Sequence, residues 1–155
     1  RSEAGFCGTG KSCDDDAMKA KITAKKKKKL PTLASLKRKC DKAFSEYIRL
    51  RDADEGGTVS CCTCGVLRHW KDRIDCGHYI SRTFLSLRYS DENCAAQCKG
   101  CNQWGGQKDA HALYLENTYG HGILQKLEEE KRQTVKFSRT DYLLMIERFS
   151  GQNND

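Results

Sequence analysis

The residues best equipped for chemistry in this chain stand between Cys61 and Asn102. They read Cys61-Cys62-Thr63-Cys64, then Asp75-Cys76-Gly77-His78-Tyr79, then Asn93, then Cys98-Lys99-Gly100-Cys101-Asn102. Two Cys-x-x-Cys pairs bracket a single Asp-x-x-His. Two chelating thiolate pairs meet the needs of tetrahedral zinc, and a site closed by four sulfurs leaves no position for a reacting water. Cys61, Cys64, Cys98 and Cys101 are therefore expected to hold a structural zinc, with any reaction left to the residues it positions. Cys62, Cys76 and Cys94 are neighbours able to replace one ligand. The two x2 pairs are preferred because each has a glycine at a knuckle position, Gly65 and Gly100.

Certain elements must place these residues. Leu33, Leu36, Cys40, Phe44, Tyr47, Ile48 and Arg51 recur at three- and four-residue steps, which predicts an amphipathic helix capped by Thr32 and ending before Gly56-Gly57. Thr58–Ser60 and Ile74–Ile80 read as short strands, with the first knuckle between them. Residues 81–92 read as a loop with an extended piece at Leu87-Arg88-Tyr89. The second pair opens a helix start that Gly105-Gly106 loosens, and helices follow over Asp109–Tyr119, Ile123–Lys131 and Thr140–Phe149. Ser138 and Thr140 are the candidate caps of the last.

Composition narrows the class. The 155 residues carry a formal charge of +7, and 32% of them are charged. No apolar run reaches the roughly 18 residues of a membrane span, and no apolar stretch near the start suggests a secretory signal. Seven of the ten cysteines fall between Cys61 and Cys101. That grouping favours metal in a reducing cytoplasm over disulfides. Between Lys19 and Lys42, eleven Lys or Arg face one acid, Asp41, the electrostatic footprint of a polyanion partner. Residues 1–31 are expected to form a basic, flexible arm with free thiols at Cys7 and Cys13. Residues 32–150 would form one domain and 151–155 a disordered tail.

The run Asn93-x4-Cys98-x2-Cys101-Asn102 resembles the HNH nucleases, with Asn in place of the final His. His78 stands at the position of the first. Lys39–Arg49, Gly77-His78-Tyr79 with Arg82, Leu87-Arg88-Tyr89, and Asn93-Cys94 through Gln97-Cys98 extend the match over about residues 37–149. Together they resemble the NinG/Rap family of lambdoid phage recombination nucleases. That resemblance implies an α+β fold, a small zinc-stabilised ββα-metal core (HNH or treble-clef-like) with flanking amphipathic helices. It also implies cutting of branched DNA such as Holliday junctions or D-loops, by a homodimer in the host cytoplasm.

Phosphodiester hydrolysis would give each residue a role. His78 is the expected general base, since an imidazole titrates near neutral pH. Asp75 and Asn102 offer hard oxygens to one catalytic Mg or Mn ion; Asp72 and Asp91 are the alternatives to Asp75. In a regular strand Asp75 and His78 point to opposite faces, and Gly77 would leave Asp75 room to reach the ion. Asn93 is expected to fix the strand that carries the base, and Arg82 to bind phosphate or else to pair with Asp91 or Glu92. Lys37, Arg38, Lys42, Arg49 and Arg88 are the remaining DNA-binding candidates. His69, His111 and His121 read as surface or capping residues. Trp104 would stack on a base or pack on the first helix, which together with the last could supply a dimer interface. The competing readings are a non-catalytic zinc-finger module and a recombination scaffold; metal-dependent nicking separates the first reading from both.

Overall fold

The computed structural model describes residues 30–104 and 108–151. The chain divides into Arg1–Pro31 and Thr32–Asp155, and the second unit holds every element below. Residues 1–29 of the expected basic arm, with Cys7 and Cys13, the Gly105-Gly106 pair and residues 152–155 lie outside the described residues. Element order is α1 Leu33–Arg51, β1 Thr58–Ser60, β2 Leu67–His69, β3 Ile74–His78, a 3-10 turn Asp91–Asn93, and β4 Cys94–Cys98. Then follow α2 Lys99–Gln103, α3 Lys108–Tyr119, α4 Ile123–Lys131 and α5 Arg139–Gly151.

α1 forms where its spacing predicts. Thr32 Oγ1 accepts from the Ser35 amide at 3.2 Å, satisfying one of the free N–H groups of the first turn. Leu36, Cys40, Phe44 and Ile48 form the buried stripe. It packs against α5, whose Tyr142 and Phe149 join the same core, with Cys94 from β4 beneath. Burial of each Leu, Ile or Phe in this core contributes about 1.5–3 kcal/mol. The apolar stripes of the first and last helices thus cover each other within one chain, while Leu33, Leu143 and Leu144 on the same two helices stay exposed. α5 starts on Ser138: its hydroxyl accepts from the Asp141 amide, and Asp141 Oδ2 accepts from the Ser138 amide at 2.7 Å.

The strands make two antiparallel pairs, β1 with β2 and β3 with β4. In the second, Ile74 faces Cys98, Asp75 faces Gln97 and His78 faces Cys94. β4 is absent from the sequence expectation because Ala95-Ala96-Gln97 has no β-branched or aromatic residue to mark a strand. Four of its five residues are buried, so burial imposes the strand. Leu87-Arg88-Tyr89 is turn rather than extended chain. Ile80, Leu87, Leu115, Ile123 and Leu127 form a second cluster around α3 and α4, and Val59, Ile74 and Ala96 a small third one. Among the described residues no helix is long and apolar enough to cross a membrane.

Candidate functional site

The β1–β2 turn is built to present sulfur. Cys61 N donates to Val66 O at 3.0 Å and Gly65 N to Cys61 O at 2.9 Å. Gly65 takes φ +71°, a region glycine enters without Cβ strain. On the other side β4 ends at Cys98, and α2 carries Cys101. The Sγ atoms of Cys61, Cys64, Cys98 and Cys101 all lie within 4.8 Å of one another. Cys64 Sγ is 3.8 Å from Cys98 Sγ. A zinc–sulfur bond of about 2.3 Å implies a tetrahedral edge of about 3.8 Å, so the separation suits the ion. Burial raises the Cys61 thiol, but hydrogen bonds from the Cys98 amide, the Thr63 hydroxyl and nearby amides outweigh it and bring it down to about 6. Thiolate is the form that binds metal. These four cysteines can hold a structural metal ion such as zinc; Cys62, Cys76 and Cys94 fall outside the group.

α1, β3, the loop that follows it and α2 shape a cleft of about 250 Å³, lined by Asp41, Phe44, Ser45, Asp75, Cys76, His78, Arg82, Arg88 and Asn102. Cys101 anchors α2 and so sets its neighbour Asn102 over β3, where Nδ2 donates to Asp75 Oδ2 at 3.2 Å. A carboxylate only accepts, so the amide nitrogen faces Asp75 and the amide oxygen stays free. Asp75 and His78 line the same cleft although strand alternation separates their faces. β3 is an edge strand of its two-stranded sheet, and a cleft along that free edge is reached from both faces. Gly77 has a different reason from the one expected: a Cβ there would stand 2.4 Å from Gln97 Oε1.

His78 is half-buried, and its Nε2 lies 3.0 Å from the carbonyl oxygen of Arg88. A carbonyl only accepts, so Nε2 carries the hydrogen and Nδ1 keeps its lone pair in the neutral ring. Burial lowers the His78 pKa below the usual imidazole value; the carbonyls of Arg88 and Cys76 oppose this and the Arg82 charge reinforces it. The loop that supplies Arg88 is clamped by fully buried Asn93. Its Oδ1 accepts from Ile80 N at 2.8 Å, and its Nδ2 donates to Ile80 O and Leu87 O.

The cationic candidates divide into two groups. Arg88 is buried, its guanidinium bonded to both Asp41 oxygens at 2.8 and 2.7 Å and to Arg82 O. Arg49 donates to Ser45 O and Trp70 O and lies over the Trp70 ring. Both side chains are committed to the scaffold rather than offered to a phosphate backbone. Arg38, Lys42 and Arg82 are exposed, and Lys37 half-buried, one turn before Asp41 on α1. Asp91 pairs with Arg148 and Glu92 with Lys126, so neither is the Arg82 partner, and Arg82 forms no salt bridge among the described residues. Asp72 pairs with Arg68 on the β2–β3 turn; like Asp91, it does not line the cleft. Trp104 does not pack on α1: it is 84% exposed. It borders a second depression with Arg68, Arg73 and Lys99.

Asp41 is the residue sequence reasoning missed. Burial pushes its carboxyl up, but the Arg88 and Tyr89 hydrogen bonds outweigh it and hold the group below the usual range. Its signal was being the one acid in a basic stretch. His111 also departs from expectation, being buried rather than on the surface, with Nε2 unpartnered.

No curated protein and no solved structure matches this chain. A family model does: residues 10–154 match the one described as Bacteriophage Lambda NinG protein. With nearly its whole length covered, the chain belongs to the NinG family.

Proposed function

We propose that this protein is a metal-dependent endonuclease that hydrolyses phosphodiester bonds in branched DNA, with the β3–β4 hairpin and α2 serving as a ββα-metal site. The observation that carries the reading is convergence: Asp75, His78, Arg82 and Asn102, from three separate segments, line one cleft. His78 is the general base. Nε2 is held by the Arg88 carbonyl, and Nδ1 takes the proton of the attacking water as the new O–P bond forms. Depressed basicity keeps the ring neutral, and so able to accept, at neutral pH. Arg82 binds a non-bridging phosphate oxygen. The Asp75 carboxylate and the free Asn102 oxygen are the groups that would hold Mg or Mn. When bound, such an ion offsets charge on the phosphate and on the departing 3′ oxygen, which leaves with a proton from solvent.

The substrate runs along α1. Lys37, Asp41 and Ser45 succeed each other at four-residue steps, so Lys37, Arg38 and Lys42 flank the cleft. Family resemblance extends the reading to Holliday junctions or D-loops and to a homodimer, since symmetric incision of a four-way junction needs two active sites. The test is cleavage of a four-way junction, a D-loop and linear duplex with Mg, with Mn and with chelator. Metal-dependent cutting that favours branched DNA supports the proposal. Salt-sensitive binding without cutting by folded, metal-loaded protein would leave a zinc-finger binding module instead.

A further inference from the structure

A second cluster of metal-binding atoms borders the cleft, and neither the four-thiol centre nor the proposed hydrolysis uses its sulfurs. Cys76 and His78 are two residues apart on β3, so their side chains share a face. His78 pairs with Cys94 across the ladder, which sets the Cys94 thiol on that face as well. The two Sγ atoms and an imidazole nitrogen lie within 4.8 Å of one another. Both thiols are free. Cys94 is buried in the core beneath α1, while half-buried Cys76 lines the cleft beside His78.

We propose that Cys76, His78 and Cys94 form a second, inhibitory site for a thiophilic divalent ion such as zinc or cadmium. Two thiolates and an imidazole are soft donors that select such ions over magnesium. Two thiolates also cancel the charge of a divalent ion, as a buried site requires. Entry is from the cleft through Cys76 and His78, with Cys94 completing the ligand set from the core side. Ligation at either ring nitrogen disables the imidazole. At Nδ1 it occupies the lone pair; at Nε2 it breaks the bond to Arg88 that sets the tautomer. The inhibitory consequence rests on His78 being the base; the binding itself does not.

The test counts ions on the full chain. Cadmium is titrated into wild type, Cys76→Ser and the volume-filling Cys94→Val, with native mass spectrometry for stoichiometry. Cadmium NMR of wild type needs no variant to fold: two resonances are expected, one from an all-sulfur site and one from a mixed nitrogen–sulfur site. Wild type should bind two ions and each variant one. A single ion on saturated wild type, or a second ion retained by both variants, overturns the site. In the Mg-dependent cleavage assay, added zinc should slow wild type at least 10-fold and Cys94→Val less than twofold. Equal inhibition of both overturns the inhibitory role. If no form cuts any DNA, the nuclease reading and the inhibitory role fall together, and the ion count alone decides the binding site.

Discussion

Two ends of the β3–β4 hairpin are held in opposite ways. Under α1 and α5 it rests on an aromatic core, where Phe44 and Phe149 ring centroids are 5.0 Å apart and Tyr47, Tyr89 and Tyr142 join them. At the other end the only buried apolar side chains in the local cluster are Val59, Ile74 and Ala96. So small a core cannot offset the entropy of ordering two short hairpins. The four thiols stand where that apolar area is missing, and a metal there supplies folding free energy directly. The candidate site residues therefore depend on different supports. Asn102 and Asp75 sit beside the thiol end; His78, through the Arg88 carbonyl and the Asp41–Arg88 pair, depends on the aromatic end.

The largest expected effect follows at the thiol end. Cys98→Ser should lose the ion and unfold β1, β2 and α2 while α1 and α5 stay packed, read by metal content and by amide hydrogen exchange along the chain. Full metal retention would show that the ligand set differs. Next comes the aromatic end: Phe149→Ala should cost about 3–5 kcal/mol in denaturant titration yet leave metal stoichiometry unchanged. Loss of metal in that variant would mean the two ends fold as one unit.

A smaller effect concerns acid. Burial lowers the His111 pKa from 6.5 to about 4. The unfolded chain therefore binds more protons in that window, and stability falls as pH drops from about 6.5 toward 4, by up to roughly 3 kcal/mol. His111→Leu should flatten most of this loss in thermal melts taken across that range; an unchanged pH profile would place the acid sensitivity elsewhere. Least of all, Thr32→Ala removes one cap and should cost about 1 kcal/mol, visible as a modest drop in the denaturation midpoint.

Much of this molecule is legible in its sequence where one local rule acts alone. α1 and its Thr32 cap follow from 3.6-residue periodicity, and the helices after residue 108 from periodicity and their Gly and Ser boundaries. The four thiols declare themselves by chelate spacing. What stays hidden depends on tertiary partners. β4 is a strand because Cys94–Gln97 are buried, against weak propensity. Gly77 is a glycine because Gln97 lies across it. Arg88 and Arg49 look like DNA ligands until Asp41 and Trp70 are seen beside them. Asp41 itself joins the cleft only because α1 packs along β3. The grouping of Cys76 with Cys94 requires the ladder register, which no spacing rule supplies.

The most direct test of the account is single-turnover cleavage of a four-way junction by wild type and His78→Ala, with metal content and junction affinity measured on the same preparations. The expected result is the four-cysteine ion retained in both proteins and equal affinity, with cleavage slower by a factor of about 10² or more in the variant. Cleavage near the wild-type rate by folded His78→Ala would contradict it, because the imidazole at the centre of the cleft would then not be the base.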